Sequence, residues 1–213
     1  MKPVVETSYT SSEEKLKTIK IVLVGNTKVG KTSLITAFTG TGTHDRGYSA
    51  AFEIPYKNTK SKKQEIILGR IFDLRSQRYF PFLHSLFYNK AKAAIIIFDV
   101  TRRETFDAIY KWREIIWGHT GTIPLLLCGN KSDLRQTTET DVTIQEALNL
   151  AKHLSQDQVV KTPYIEISAT KRIIAYYDHN PTEEIIENIY PTIDEFRHPF
   201  VNWLLEITNK ISI

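Results

Sequence analysis

The sequence is short of cysteine, of long apolar runs and of any strong excess of charge. One cysteine, Cys128, stands among 213 residues, which excludes an internal disulfide framework. It lies inside an apolar run and reads as a small buried side chain with no chemical role. The longest apolar stretches, 93–98 and 123–128, fall far short of the ~20 residues a helix needs to cross a bilayer. Residues 1–20 hold no apolar core of the kind a secretory signal requires. The expected location is therefore cytoplasmic. A net charge of only +4 and a pI near 9.0 suit an anionic small ligand and give no footprint for a nucleic-acid partner. Part of the excess is local: Lys57, Lys60, Lys62 and Lys63 cluster between two strand-like stretches, as a solvated hairpin tip would.

What is present is an alternation of short apolar runs with longer helix-periodic stretches. The runs at 19–24, 52–56, 66–72, 93–98, 125–128 and 164–167 read as strands. Helical spacing appears at 33–38, 105–117 and 144–154, so Trp112 and Trp117 read first as packing residues. The expected fold is α/β, one domain with a mostly parallel six-stranded sheet and helices on both faces. Residues 1–18, polar and rich in Ser, Thr, Glu and Lys, are expected to form a flexible arm before a domain over 19–213. An extra segment, 171–198, precedes the last helix, which is expected to begin near Pro199. Within it, Asn180, Pro181, Glu183 and Glu184 make a helix start. Its Ile173, Ile174, Tyr176 and Tyr177 are either a partner surface or a cover over the domain's own core.

Gly25-Asn26-Thr27-Lys28-Val29-Gly30-Lys31-Thr32 fits G-x-x-x-x-G-K-[ST] between an apolar strand and a helix, where the phosphate-binding mechanism demands it. The glycines let the backbone fold around phosphate, the loop amides and the helix N-terminus at Ser33 face the negative charge, and Lys31 reaches the β and γ phosphates. Thr32 offers its hydroxyl to Mg²⁺.

A second motif chooses the base. Asn130-Lys131-Ser132-Asp133 follows the strand at 125–128, at the carboxyl end where ligands of open α/β sheets bind. Asp133 would accept from guanine N1 and the exocyclic amine, Asn130 would support the loop, and the stem of Lys131 would cover the ring. After the next strand come Ser168, Ala169 and Thr170, and the Ala169 amide is expected to donate to guanine O6. Adenine presents an amino group there, a mismatch of buried donors. The implied ligands are GTP or GDP with Mg²⁺.

These motifs, with Ile95-Ile96-Ile97-Phe98-Asp99-Val100-Thr101, Arg103-Glu104-Thr105-Phe106, Trp112 and Phe87-Tyr88-Asn89-Lys90-Ala91, resemble the Ras superfamily, and within it the Rab proteins, over most of residues 19–212. The resemblance implies a P-loop small-GTPase fold, a GTP/GDP switch, effector and regulator proteins as partners, and a role in vesicle traffic peripheral to endomembranes, as a monomer. It also exposes departures. The family's Asp-Thr-Ala-Gly-Gln stands here as Asp73-Leu74-Arg75-Ser76-Gln77. Asp73 is expected to hold Mg²⁺ through water and Gln77 to orient the attacking water. Ser76 replaces the glycine whose amide meets the γ phosphate, and its β-carbon restricts the loop, so hydrolysis is expected to be slow or impaired. Ser49 takes the place of the threonine that ligates Mg²⁺ in the GTP state, with Tyr48 and Thr43 as the alternatives. An aromatic cover over the base is missing at 42–44, and no cysteine for lipid attachment stands near Ile213. The alternative expectation is a nucleotide-bound scaffold that does not switch.

Overall fold

Side chains in a strand alternate between the two faces of a sheet, so a strand apolar at every position must be covered on both sides. Residues 93–98 and 125–128 are of that kind. In the computed structural model, which describes residues 16–39, 49–57, 64–73, 87–136, 141–156, 158–177 and 195–210, β1 is Leu16–Val24, β4 Ala93–Asp99, β5 Leu125–Asn130 and β6 Tyr164–Ser168. All of β4, β5 and β6 is buried. Two more strands, β2 (Ser49–Lys57) and β3 (Gln64–Asp73), and a late one, β7 (Ile173–Tyr177), complete a sheet in the order β2-β3-β1-β4-β5-β6-β7. Strands β3, β1, β4, β5 and β6 run parallel, and the two outermost pair antiparallel with their neighbours. Pro55 lies in β2, at the edge of the sheet among the described residues, where its missing N–H breaks no central ladder.

The helices divide between the faces as the alternation requires. Ile19, Ile21, Leu23, Ile95, Ile97 and Ile165 share one core with α1 (Lys31–Thr39) and with the closing helix His198–Lys210. That closing helix contributes Phe200, Trp203, Leu204 and Ile207, and Phe200 meets Phe38 of α1 edge to face at 4.7 Å. Val22, Val24, Ile96, Phe98, Leu127 and Tyr164 face the other way, under a short helix α2 (Arg103–Asp107), α3 (Ile109–Thr120) and α4 (Ile144–Leu154). The closing helix is α5.

The expected fold class is borne out, with two differences in detail. The sheet has seven strands among the described residues, because Ile173–Tyr177 returns against β6 as β7. There Ile174 packs on the first core and Tyr176 on the second, at 6.0 Å from Tyr164, while Ile173 stays half exposed. The helix expected at 105–117 is two, separated at Ala108. β1 also reaches back to Leu16, inside the stretch expected to be an arm. The lysines at 60, 62 and 63, the helix start at Asn180 and the chain end lie outside the described residues.

Helix α4 carries a local signal of its own. Thr143 Oγ1 accepts from the Glu146 amide at 3.2 Å and Glu146 Oε2 accepts from the Thr143 amide at 2.9 Å, a reciprocal cap that satisfies two helix-end donors. Ala147, Leu150, Ala151 and Leu154 then form the buried stripe. Thr143→Ala is expected to lower the unfolding free energy by about 1 kcal/mol, read as a shift of the urea midpoint at unchanged slope.

Candidate functional site

Five parallel strands deliver their carboxyl ends to one edge of the sheet, and the residues that carry chemistry follow directly: Gly25 after β1, Asp73 at the end of β3, Asp99 at the end of β4, Asn130 at the end of β5 and Ser168 at the end of β6. The registers bring them abreast, with Leu23 opposite Asp73 and Asp99 opposite Asn130.

The loop between β1 and α1 is shaped by close approaches. Gly25 has φ 148° and Gly30 φ 100°, both in the region that favours glycine. A β-carbon at Gly25 would strike the Ile97 carbonyl, and one at Gly30 would strike the Asn130 amide. Lys28 adopts φ 64°, a left-handed conformation that a non-glycine residue enters at a cost of about 1–3 kcal/mol. Lys31 turns its Nζ over the loop and donates to the Gly25 and Asn26 carbonyls at 2.8 Å each. Burial pushes the Lys31 ammonium below its ordinary pKa, and the neighbouring Asp73 carboxylate opposes that shift. Thr32 Oγ1 donates to Asp73 Oδ2 at 3.3 Å, and Asp73 is buried.

Asn130 joins the phosphate loop to the rest. Buried to 3% exposure, it donates from Nδ2 to the Val29 carbonyl at 2.8 Å and accepts at Oδ1 from the Ala169 amide at 3.0 Å. The Ala169 amide, expected to face a base, donates here to Asn130. Lys131, at φ 67°, sends its Nζ back to Asp99 Oδ2 at 2.5 Å. Asp99 is fully buried, and its other oxygen accepts from the Thr101 amide at 3.1 Å and hydroxyl at 2.7 Å. With its head held there, the stem of Lys131 lines an open cleft together with Thr27, Lys28 and Arg102. Asp133 is the middle residue of the turn Ser132–Leu134 and has Lys171 Nζ at 3.4 Å. A hydrogen bond from Ser168, then one from Lys171, holds the Asp133 carboxyl below its ordinary pKa. Arg135 ties off the loop, donating to the Val142 carbonyl and to Glu166 Oε2, both at 2.6 Å.

The expected residues thus converge from 25–33, 73, 130–133 and 168–170. Ser49 opens β2 with its backbone paired to Phe72, one residue from Asp73. Leu74, Arg75, Ser76 and Gln77 lie outside the described residues, as do 42–44. Three participants were not anticipated from sequence: Asp99, which fixes Lys131; Arg102, which donates to the Thr27 carbonyl at 3.3 Å; and Trp112, whose indole reaches Asn26 at 2.8 Å. The only sequence signal for Asp99 and Trp112 was the family resemblance of the stretches that hold them. As a metal site, Thr32 and Asp73 offer two oxygen donors side by side, and no cluster of three or more His, Cys, Asp or Glu occurs among the described residues. That set fits Mg²⁺, which keeps waters and takes its remaining ligands from phosphates.

The profile of the Ras family matches residues 20–189. Ras-related protein Rab-32B of Dictyostelium discoideum is 34% identical over 122 residues, 54% of this chain and 46% of that protein. Ras-related protein RABA1i of Arabidopsis thaliana is 26% identical over 190 residues, 88% of this chain and 82% of that one. Ras-related protein Rab-25 of Bos taurus is 32% identical over 136 residues, 63% and 62% of the two chains. The chain spans about half the length of the Dictyostelium relative.

Asn130→Ala leaves the Val29 carbonyl and the Ala169 amide without their buried partner. The expected loss is about 1–3 kcal/mol for each group, seen by calorimetry as a fall of about 2–4 °C in Tm for each kcal/mol in a domain of this size.

Proposed function

The chain belongs to the Ras family and is Rab-like, and from that premise we propose that it binds GTP and GDP with Mg²⁺ and regulates vesicle traffic through nucleotide-dependent contacts with effector and regulator proteins. The single observation that carries the binding reading is the Asn130 junction, which ties the phosphate loop and the loop after β6 to one buried side chain at the head of the loop bearing Asp133. In this reading Gly25 to Ser33 cradle the phosphates and Lys31 exchanges its loop carbonyls for phosphate oxygens. Thr32 ligates Mg²⁺ and Asp73 holds it through water, with Ser49 joining in the GTP-bound form. When bound there, Mg²⁺ would supply neutralisation of the charge that develops on the transferred phosphoryl group. Asp133 takes the two N–H donors of guanine, and the stem of Lys131 covers one face of the ring. Thr170 borders the base beside Ser168.

Hydrolysis is proposed to be slow. Gln77 is present to orient water, but Ser76 restricts the backbone whose amide would close on the γ phosphate. The chain then acts as a monomer peripheral to endomembranes, with 171–198 as a segment added to a domain that begins at β1; no helix among the described residues is long and apolar enough to cross a membrane. A second reading, a nucleotide-bound scaffold that does not switch, is favoured by the change of Leu74, Arg75 and Ser76 together.

A single-turnover assay with GTP and Mg²⁺ separates the two. Slow conversion that Gln77→Leu abolishes and Ser76→Gly quickens, by tenfold or more, is the outcome for a genuine GTPase. Tight retention without turnover in all three proteins supports the scaffold. The pH dependence of GDP affinity is a further test. The Asp133 carboxyl lies below the ordinary value of about 3.9, so its contribution is complete above that pH and is lost only as pH falls through the lower folded value. Affinity is therefore expected to stay flat from pH 8 to 5 as far as this residue is concerned, and Asp133→Asn to lose guanine preference at every pH in that range.

A further inference from the structure

The phosphate loop is held from two sides, and only one of them belongs to the nucleotide motifs. On the inner side Asn130 takes the Val29 carbonyl and Gly25 packs against the backbone of Ile97. On the outer side two residues of the α2–α3 segment reach across. Trp112 of α3 donates from its indole Nε1 to Asn26 Oδ1 at 2.8 Å. Arg102 donates from Nη1 to the Thr27 carbonyl at 3.3 Å, and Glu104 Oε1 steadies the same guanidinium at 2.9 and 2.7 Å. Consecutive loop residues, 26 and 27, are thereby tied to the helices that follow β4.

Fixing the backbone of one irregular residue costs about 1–2 kcal/mol. A loop that grips phosphate through its amides holds tightly only if that cost is met before the ligand arrives. The Trp112 indole meets it at Asn26. Its ring packs on the apolar core beneath α3 while its N–H points outward to the loop, which is the division of labour an indole allows. The other tryptophan of the same helix, Trp117, uses its N–H on the Ile123 carbonyl at 3.1 Å, away from the loop.

Resting on the nucleotide-binding reading above, we propose that Trp112 is a positioning residue for the phosphate loop, and that its hydrogen bond to Asn26 sets the rate at which bound guanine nucleotide leaves. The helix α3 is thereby mechanically linked to the nucleotide, without touching it.

The test loads the full chain with N-methylanthraniloyl-GDP in Mg²⁺ and follows its release into excess GDP. Trp112→Phe, which keeps the apolar ring and loses the donor, and Asn26→Ala, which loses the acceptor, are each expected to speed release about 3- to 10-fold, the scale of one neutral hydrogen bond. The double variant is expected to release no faster than the faster single one, because the two changes remove the same bond. Trp117→Phe leaves the release rate unchanged whatever it does to Tm. Unchanged release in both single variants, or effects that multiply in the double, overturns the proposal. Failure of the parent protein itself to retain the labelled GDP overturns the nucleotide reading and this inference with it; retention by the parent with unchanged variants overturns the inference alone.

Discussion

One buried amide side chain organises the candidate site. Asn130 stands at the end of β5, donates to the phosphate loop at Val29 and accepts from the loop after β6 at Ala169. Three loops from three strands thus share one residue, and each fixes the other two. The closeness of that contact explains Gly30: the loop passes so near the Asn130 amide that a β-carbon would collide with it. Because both amide functions of Asn130 are engaged in a buried setting, no isosteric substitute serves. Aspartate would turn an acceptor toward the Val29 carbonyl, and leucine would leave a buried donor and a buried acceptor unsatisfied.

Around that junction, charge is placed where strands end. Asp73 and Asp99 are buried carboxylates on neighbouring parallel strands of β1, and each has a cation or hydroxyl partner from another loop. The partner of Asp99 is Lys131, which holds a left-handed backbone. Such a conformation costs about 1–3 kcal/mol, and the ion pair at 2.5 Å offsets it while laying the lysine stem along the cleft. The same backbone irregularity at Lys28 turns the phosphate loop between Gly25 and Gly30. Of the four left-handed non-glycine residues among those described, Lys28, Lys90, Lys131 and Arg172, two are in the site, as expected where function requires backbone shapes that packing alone would avoid.

How much of this was legible beforehand depends on whether the signal was local. The strands at 93–98 and 125–128 are continuous apolar runs because both faces are covered, and such runs are read directly from sequence; 164–167 departs from that pattern only at Glu166. Helix α4 announced itself by its apolar spacing at Ile144–Leu154, and the phosphate and base motifs by order and placement. What escaped was set by partners distant in sequence. The residues 173–177 have too few signals to distinguish a strand from a covering segment until β6 is beside them. The Ala169 amide, expected to face a ligand, also has a partner 39 residues earlier in the Asn130 side chain. Trp112 fits a packing role by spacing and has one, and only the fold shows that its N–H also meets a loop 86 residues away.

The parts of the site that bind and the parts that would switch are physically separable in this chain. In the proposed reading, binding rests on loops already held by hydrogen bonds at Asn130, Asp99 and Asp73, and these ask the nucleotide for little reorganisation. Switching needs something else, a difference in interaction between the two nucleotide states, since a ligand that binds two conformations equally shifts neither however tightly it is held. In this family that difference is read by the residues after the Asp73 position, and those are the ones that have changed, to Leu74, Arg75 and Ser76. A serine there keeps a backbone N–H to offer but admits fewer backbone conformations in which to offer it. Strong retention of guanine nucleotide would therefore say nothing about signalling. In the proposed reading, the quantity that decides the role of this chain is the free-energy difference between GTP and GDP forms at residues 74–77, and the loops joined at Asn130 are neutral to it.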